Sequence, residues 1–89
     1  MQRKELTIIN KLGLHARAAA KLVQTSAGFA SDIYITHNGK RVSGKSIMGI
    51  MMLAASKGTV IEVTTSGPDE KEAMAAVESL IADRFGEGE

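Results

Sequence analysis

Gly13-Leu14-His15-Ala16-Arg17-Ala18-Ala19-Ala20-Lys21 reads as a loop that ends where a helix begins. Alanine-rich sequence has strong helix propensity and allows close packing on a sheet. The helix is predicted over residues 16–27, with a stripe of Ala16, Ala19, Ala20, Val23 and Ala27, and Gly28 stops it. Upstream, residues 3–9 place Leu6 and Ile8 on one face of a strand, and residues 10–14 form the connecting loop. Downstream, residues 31–36 alternate, with Ile33 and Ile35 inward and Asp32, Tyr34 and Thr36 outward. Asn38-Gly39 is a hairpin signal, because both central positions of a type I′ turn need positive φ. Residues 40–42 make the return strand and Ser43-Gly44-Lys45 breaks it.

Ser46 then caps a short helix rich in isoleucine and methionine, within which Gly49 lowers the propensity. Residues 60–65 form the clearest strand, with Ile61 and Val63 on one face. After the Ser66-Gly67-Pro68 turn, Asp69 caps the last helix and Glu72 completes a capping-box spacing. Ala73, Val77, Leu80 and Ile81 form the core stripe of that helix, with Met74 on its flank. Residues 86–89 read as a frayed acidic tail. The order β-α-β-β-α-β-α, without linker or repeat, predicts one α+β domain over residues 1–89. In it, helices cover one face of an antiparallel sheet. Element order alone fits a ferredoxin-like arrangement as well as others and does not fix strand order.

Absence of cysteine excludes disulfides and thiolate metal sites and suits a reducing cytoplasm. The sequence contains no apolar run long enough for a signal peptide or a membrane span. Residues 1–45 hold eight Lys/Arg against two Asp/Glu, and residues 46–89 hold three against eight. Such asymmetry fits either ordinary solvated charge or a basic face near His15 for acidic partners. Nucleic acid is disfavoured, since Phe29, Tyr34 and Phe85 are the only aromatic residues.

His15 sits where the helix begins. A lone histidine is by default structural, but the Arg17 guanidinium and the helix-start N–H groups converge on it. Those groups suit an anion and hence a phosphoryl group carried on the ring. Arg17 brings a planar fork matched to a phosphoryl group, whereas Lys21 reads as surface charge and His37 as an exposed loop residue. Ser46 is first an N-cap, and its helix start also tolerates a phosphate. Ile47, Met48, Met51 and Met52 exceed what so short a helix buries, and methionine suits a docking surface as well as a core. No catalytic triad, metal cluster or phosphate-binding loop is present, so no cofactor or metal is expected. A stand-alone enzyme using His15 as a base is disfavoured, because the sequence offers that histidine no partner residue.

Gly-Leu-His-Ala-Arg at 13–17, Asn-Gly-Lys at 38–40, Lys-Ser-Ile-Met-Gly at 45–49 and Ala-Ser-Lys-Gly at 55–58 together resemble the HPr family. These are the histidine-containing phosphocarriers of the bacterial phosphoenolpyruvate-dependent phosphotransferase system. The resemblance covers nearly the whole chain. It implies an open-faced β-sandwich, a four-stranded antiparallel sheet with three helices. It makes His15 the residue phosphorylated on Nδ1 by enzyme I and Arg17 the residue that assists transfer. Ser46 becomes the site of an ATP-dependent HPr kinase/phosphorylase, and Ile47, Met48 and Met51 a surface for enzyme I and IIA acceptor domains. A monomer suits such a carrier. Many members have proline where this chain has Ala18, which leaves open a regulatory, nitrogen-related branch without sugar transport. The intact 45–49 segment favours a branch read by the serine kinase.

Overall fold

The computed structural model describes residues 1–88. Its elements are β1 (Gln2–Thr7), α1 (Ala16–Ala27), β2 (Asp32–His37), β3 (Lys40–Ser43), α2 (Ile47–Met52), β4 (Val60–Ser66) and α3 (Glu70–Ala82). A 3-10 turn, Arg84–Gly86, follows. All strand pairings are antiparallel, in the spatial order β1-β4-β2-β3. The long β4 is therefore central, and the last strand in sequence joins the first to the hairpin.

Alternation decides which face is covered. Ile33, Ile35, Ile61, Val63 and Thr65 are buried beneath the helices. Opposite them lie Arg3, Glu62, Tyr34 and Arg41 on an open face, where Arg41 stacks 3.9 Å from the centre of the Tyr34 ring and Arg3 pairs with Glu62. Asn38 and Gly39 take φ of 55° and 78°, as the hairpin reading required.

Two helix faces differ from expectation. In α1 the buried residues are Ala18, Ala19, Leu22 and Ser26, while Ala16 and Ala27 are exposed. Alanine on every side leaves the phase of this helix to Leu22, the one large apolar side chain it buries completely. In α3, Met74 is buried and Leu80 lies at the flank. Gly28 ends α1 with φ of −76°, so it stops the helix without a left-handed residue. His37 is the half-buried last residue of β2, paired with Lys40, and not a loop residue.

Asp69 does not cap α3 through its side chain. Its carboxylate instead accepts from the amides of Ala30 and Ser31, each at 2.9 Å, and from the Ser31 hydroxyl. Ser31 Oγ in turn accepts from the Asp69 amide at 3.2 Å. The expected capping box is thus replaced by a tie between the turn before β2 and the start of α3. Glu70, not Glu72, reaches back, accepting from the Gly67 amide at 3.2 Å. The Ser31 hydroxyl and the Ala30 amide hold the Asp69 carboxyl below its ordinary value. A depressed carboxylate stabilises the fold above its unfolded pKa and loses that contribution as pH falls through the folded value. Stability should therefore decline on acidification below about pH 4. In Asp69→Asn the decline should be shallower and stability at neutral pH lower. Urea midpoints measured across pH check this; parallel curves for the two proteins would contradict it.

Candidate functional site

The loop before α1 is locked from several sides. Leu14 donates its amide to Ala55 O at 2.9 Å, and Gly13 donates to Asn10 O at 3.2 Å. Gly13 has φ of 67°, and a Cβ there would lie 2.5 Å from Ala55 O, so only glycine fits. Asn10 is fully buried, and its Nδ2 donates to Gly13 O at 2.8 Å. His15 follows as the N-cap of α1 in an extended conformation, with φ −76° and ψ 179°. Its carbonyl accepts from Ala19. Its ring makes no capping bond, so the helix does not use up the imidazole.

An α-helix leaves its first N–H groups without intrahelical partners. Here these belong to Ala16, Arg17 and Ala18, none of whose amides has an acceptor among the described residues. Ala18 at this third position is fully buried, and proline there would forfeit no hydrogen bond. The departure from the common family pattern therefore leaves the helix start intact. The partial positive charge of this terminus faces an open cleft of about 580 Å³ lined by Lys11, Leu12, His15, Ala16, Arg17, Gly86 and Glu87. Arg17 is exposed, and its guanidinium makes no hydrogen bond or ion pair among the described residues.

The feature that the sequence concealed is the segment after α3. Residues 86 and 87 are not frayed; Glu89, the end of the predicted tail, lies outside the described residues. Phe85 is fully buried and is the largest such side chain in the core. Lys21, read as surface charge, donates through Nζ to Phe85 O. With Arg84 and Phe85 both at positive φ, 53° and 55°, the chain then turns sharply toward α1. Glu87 arrives against the histidine: its Oε2 contacts His15 Nε2, and its Oε1 accepts from Asn10 Nδ2 at 3.0 Å. Burial pushes the Glu87 carboxyl up, but the Asn10 amide, the His15 ring and the Lys21 charge together bring it below its ordinary value. His15 Nδ1, by contrast, has no partner among the described residues. The histidine thus has a partner residue, contrary to the sequence-based expectation. No local signal could have revealed it, because 72 residues separate the two.

The other residues singled out in the sequence lie on α2, outside this cleft. Ser46 caps that helix as predicted, its Oγ accepting from the Gly49 amide at 3.1 Å. Gly49 is explained by crowding, since a Cβ there would lie 3.1 Å from Val42 Cβ and 3.2 Å from Ser46 Oγ. Ile50 enters the core, whereas Ile47, Met48, Met51 and Met52 stay exposed, Met48 at 70%. Among the described residues no helix is long and apolar enough to cross a membrane, and no group of three or more acidic, His or Cys side chains could hold a metal.

A family model described as the PTS HPr component phosphorylation site matches residues 2–83. The phosphocarrier protein HPr of Neisseria meningitidis is 60% identical over 89 residues, covering all of both chains. Among solved structures, HPr-C-His from Thermoanaerobacter tengcongensis superposes with a TM-score of 0.94 at 47% identity, covering 98% of each chain. An HPr dimer from the same organism superposes with a TM-score of 0.79, also at 47% identity, covering 98% of this chain and 100% of that one. The family match, 60% identity over the full length and a TM-score of 0.94 agree: this chain belongs to the HPr family, the phosphocarrier proteins of the phosphotransferase system.

Proposed function

We propose that this phosphocarrier takes a phosphoryl group from enzyme I, originally from phosphoenolpyruvate, onto His15 Nδ1 and passes it to IIA-type acceptor domains. The observation that carries the reading is the unpartnered Nδ1 of His15 on a cleft shared with a helix start and the Arg17 guanidinium. In loading, the Nδ1 lone pair attacks phosphorus. The bond from phosphorus to the donor breaks, and its electron pair leaves with the donor. Arg17 and the helix-start N–H groups stabilise the phosphoryl oxygens, acting as preorganised donors where negative charge collects. A carrier of this kind leaves the remaining catalysis to its partners. A cytoplasmic monomer acting as one domain suits a protein that presents the same face to successive partners.

Ser46 is proposed as the regulatory site, modified by an HPr kinase/phosphorylase, and Ile47, Met48 and Met51 as the partner-docking surface. Support comes from the half-exposed cap hydroxyl directly before an apolar face that the core leaves uncovered. A phosphate on Ser46 adds about −1.5 to −2 charge beside that face.

Mixing the chain with enzyme I and phosphoenolpyruvate should give an acid-labile adduct one phosphoryl group heavier by mass spectrometry; no adduct would overturn the reading. Ser46→Asp should slow loading roughly tenfold, equivalent to a penalty of about 1.4 kcal/mol in the encounter. Ser46→Ala should lose roughly 1 kcal/mol of stability from the cap while loading normally. Equal loading rates for wild type and Ser46→Asp would remove the regulatory assignment.

A further inference from the structure

We propose that Glu87 is a positioning residue for the acceptor histidine, holding the proton on Nε2 so that Nδ1 carries the reactive lone pair. The inference rests on His15 as acceptor and adds what selects the ring nitrogen.

An ionised carboxylate can only accept, so the contact between Glu87 Oε2 and His15 Nε2 requires the hydrogen on Nε2. A neutral imidazole has one N–H, so the other nitrogen, Nδ1, is then left with its lone pair. Nothing among the described residues competes for Nδ1, because His15 makes no side-chain cap bond to α1. One contact therefore fixes both the tautomer and the face of the ring turned to the donor.

Glu87 is held for this task by more than its contact with the ring. Asn10 Nδ2 donates to Glu87 Oε1 and to Gly13 O, so one buried amide fixes both the carboxylate and the loop leading into His15. Flipping that amide would set its oxygen against two acceptors, which fixes its orientation. The backbone on the other side is pinned by buried Phe85, by Lys21 Nζ on Phe85 O, and by the Glu87 amide donating to Arg84 O at 3.0 Å. The result is a closed circuit from Asn10 through Gly13 and His15 to Glu87 and back to Asn10.

The same arrangement serves the transfer step. As Nδ1 bonds to phosphorus and the donor's electron pair departs, the ring gains positive charge, and its Nε2 proton stays in place. That charge develops against the Glu87 carboxylate, which needs no reorganisation to meet it. On unloading, the electron pair returns to Nδ1 as the bond to phosphorus breaks, and the original neutral tautomer is restored. Phosphorus and carboxylate occupy opposite nitrogens of the ring, so Glu87 assists without blocking the acceptor atom.

The test uses full-length chain with ring-labelled histidine and ¹⁵N NMR at a pH where the ring is neutral. Wild type should show His15 with protonated Nε2 and unprotonated Nδ1. Glu87→Ala should shift His15 toward a mixture of tautomers and slow loading by enzyme I roughly tenfold, the scale on which groups orienting a histidine act. Glu87→Gln keeps an acceptor oxygen but not the charge; it should retain the Nε2-protonated tautomer and load at an intermediate rate. An unchanged tautomer in Glu87→Ala would overturn the inference, whatever the loading rate. If wild type fails to load while the tautomer responds as expected, the carrier reading falls and the Glu87 contact stands.

Discussion

The His15→Ala variant is expected to take no phosphoryl group from enzyme I, a complete loss and not a slowing. His37, the only other imidazole, is half-buried at the end of β2 and is not among the residues lining the cleft with Arg17. Ser46 offers only a hydroxyl, which is far less nucleophilic than a neutral imidazole unless a base activates it. The variant should remain folded, because the His15 ring makes no capping bond and the carbonyl that Ala19 needs belongs to the backbone. A stability change within about 1 kcal/mol is expected, typical of a partly exposed side chain. Mass spectrometry under mild, non-acidic conditions reads the adduct, and a urea titration reads the fold. An acid-labile adduct persisting in a folded His15→Ala protein would mean that the acceptor lies elsewhere.

The second large effect is on stability. Phe85→Ala should cost about 3–5 kcal/mol, as expected for removing an aromatic ring from a packed core. For a chain of this size that is a large part of the total, roughly 0.05–0.15 kcal/mol per residue. Phe85 lies in the same buried cluster as Ile8, Leu22, Val77 and Ile81. Its loss also loosens the turn that delivers Glu87, so the His15 tautomer should become mixed even at temperatures where the variant stays folded. A fall of less than about 1 kcal/mol in unfolding free energy would show that the ring is not the anchor described.

How much of this was legible in the sequence depends on how local each cause is. The hairpin turn was readable because Asn38 and Gly39 both need positive φ, a requirement that only a few residues meet easily. The start of α2 was readable because Ser46 bonds an amide three residues away. The buried side of α1 was not, because its alanines surround the helix and only Leu22 distinguishes the core side. Asp69 carried a good capping signal, yet Ser31, 38 residues earlier, outbids the helix for its carboxylate. Strand order escaped altogether, since it depends on which edges meet in the folded chain.

For the candidate site the same division holds. His15 and Arg17 stand two residues apart at a helix start, and the cleft brings them together as the sequence suggested. Glu87 was hidden in a stretch of glycine and glutamate whose composition reads as solvent-exposed. Its placement depends on a buried phenylalanine, two non-glycine residues at positive φ and a lysine from α1. None of those has a signature at the level of local pattern.

Phosphorus–nitrogen coupling in NMR of the loaded, ¹⁵N-labelled chain reads whether phosphorus bonds to Nδ1 of His15. A single coupled nitrogen is expected, Nδ1 of His15, with Nε2 still carrying its proton. Coupling to Nε2, or phosphorus on any other residue, would contradict it.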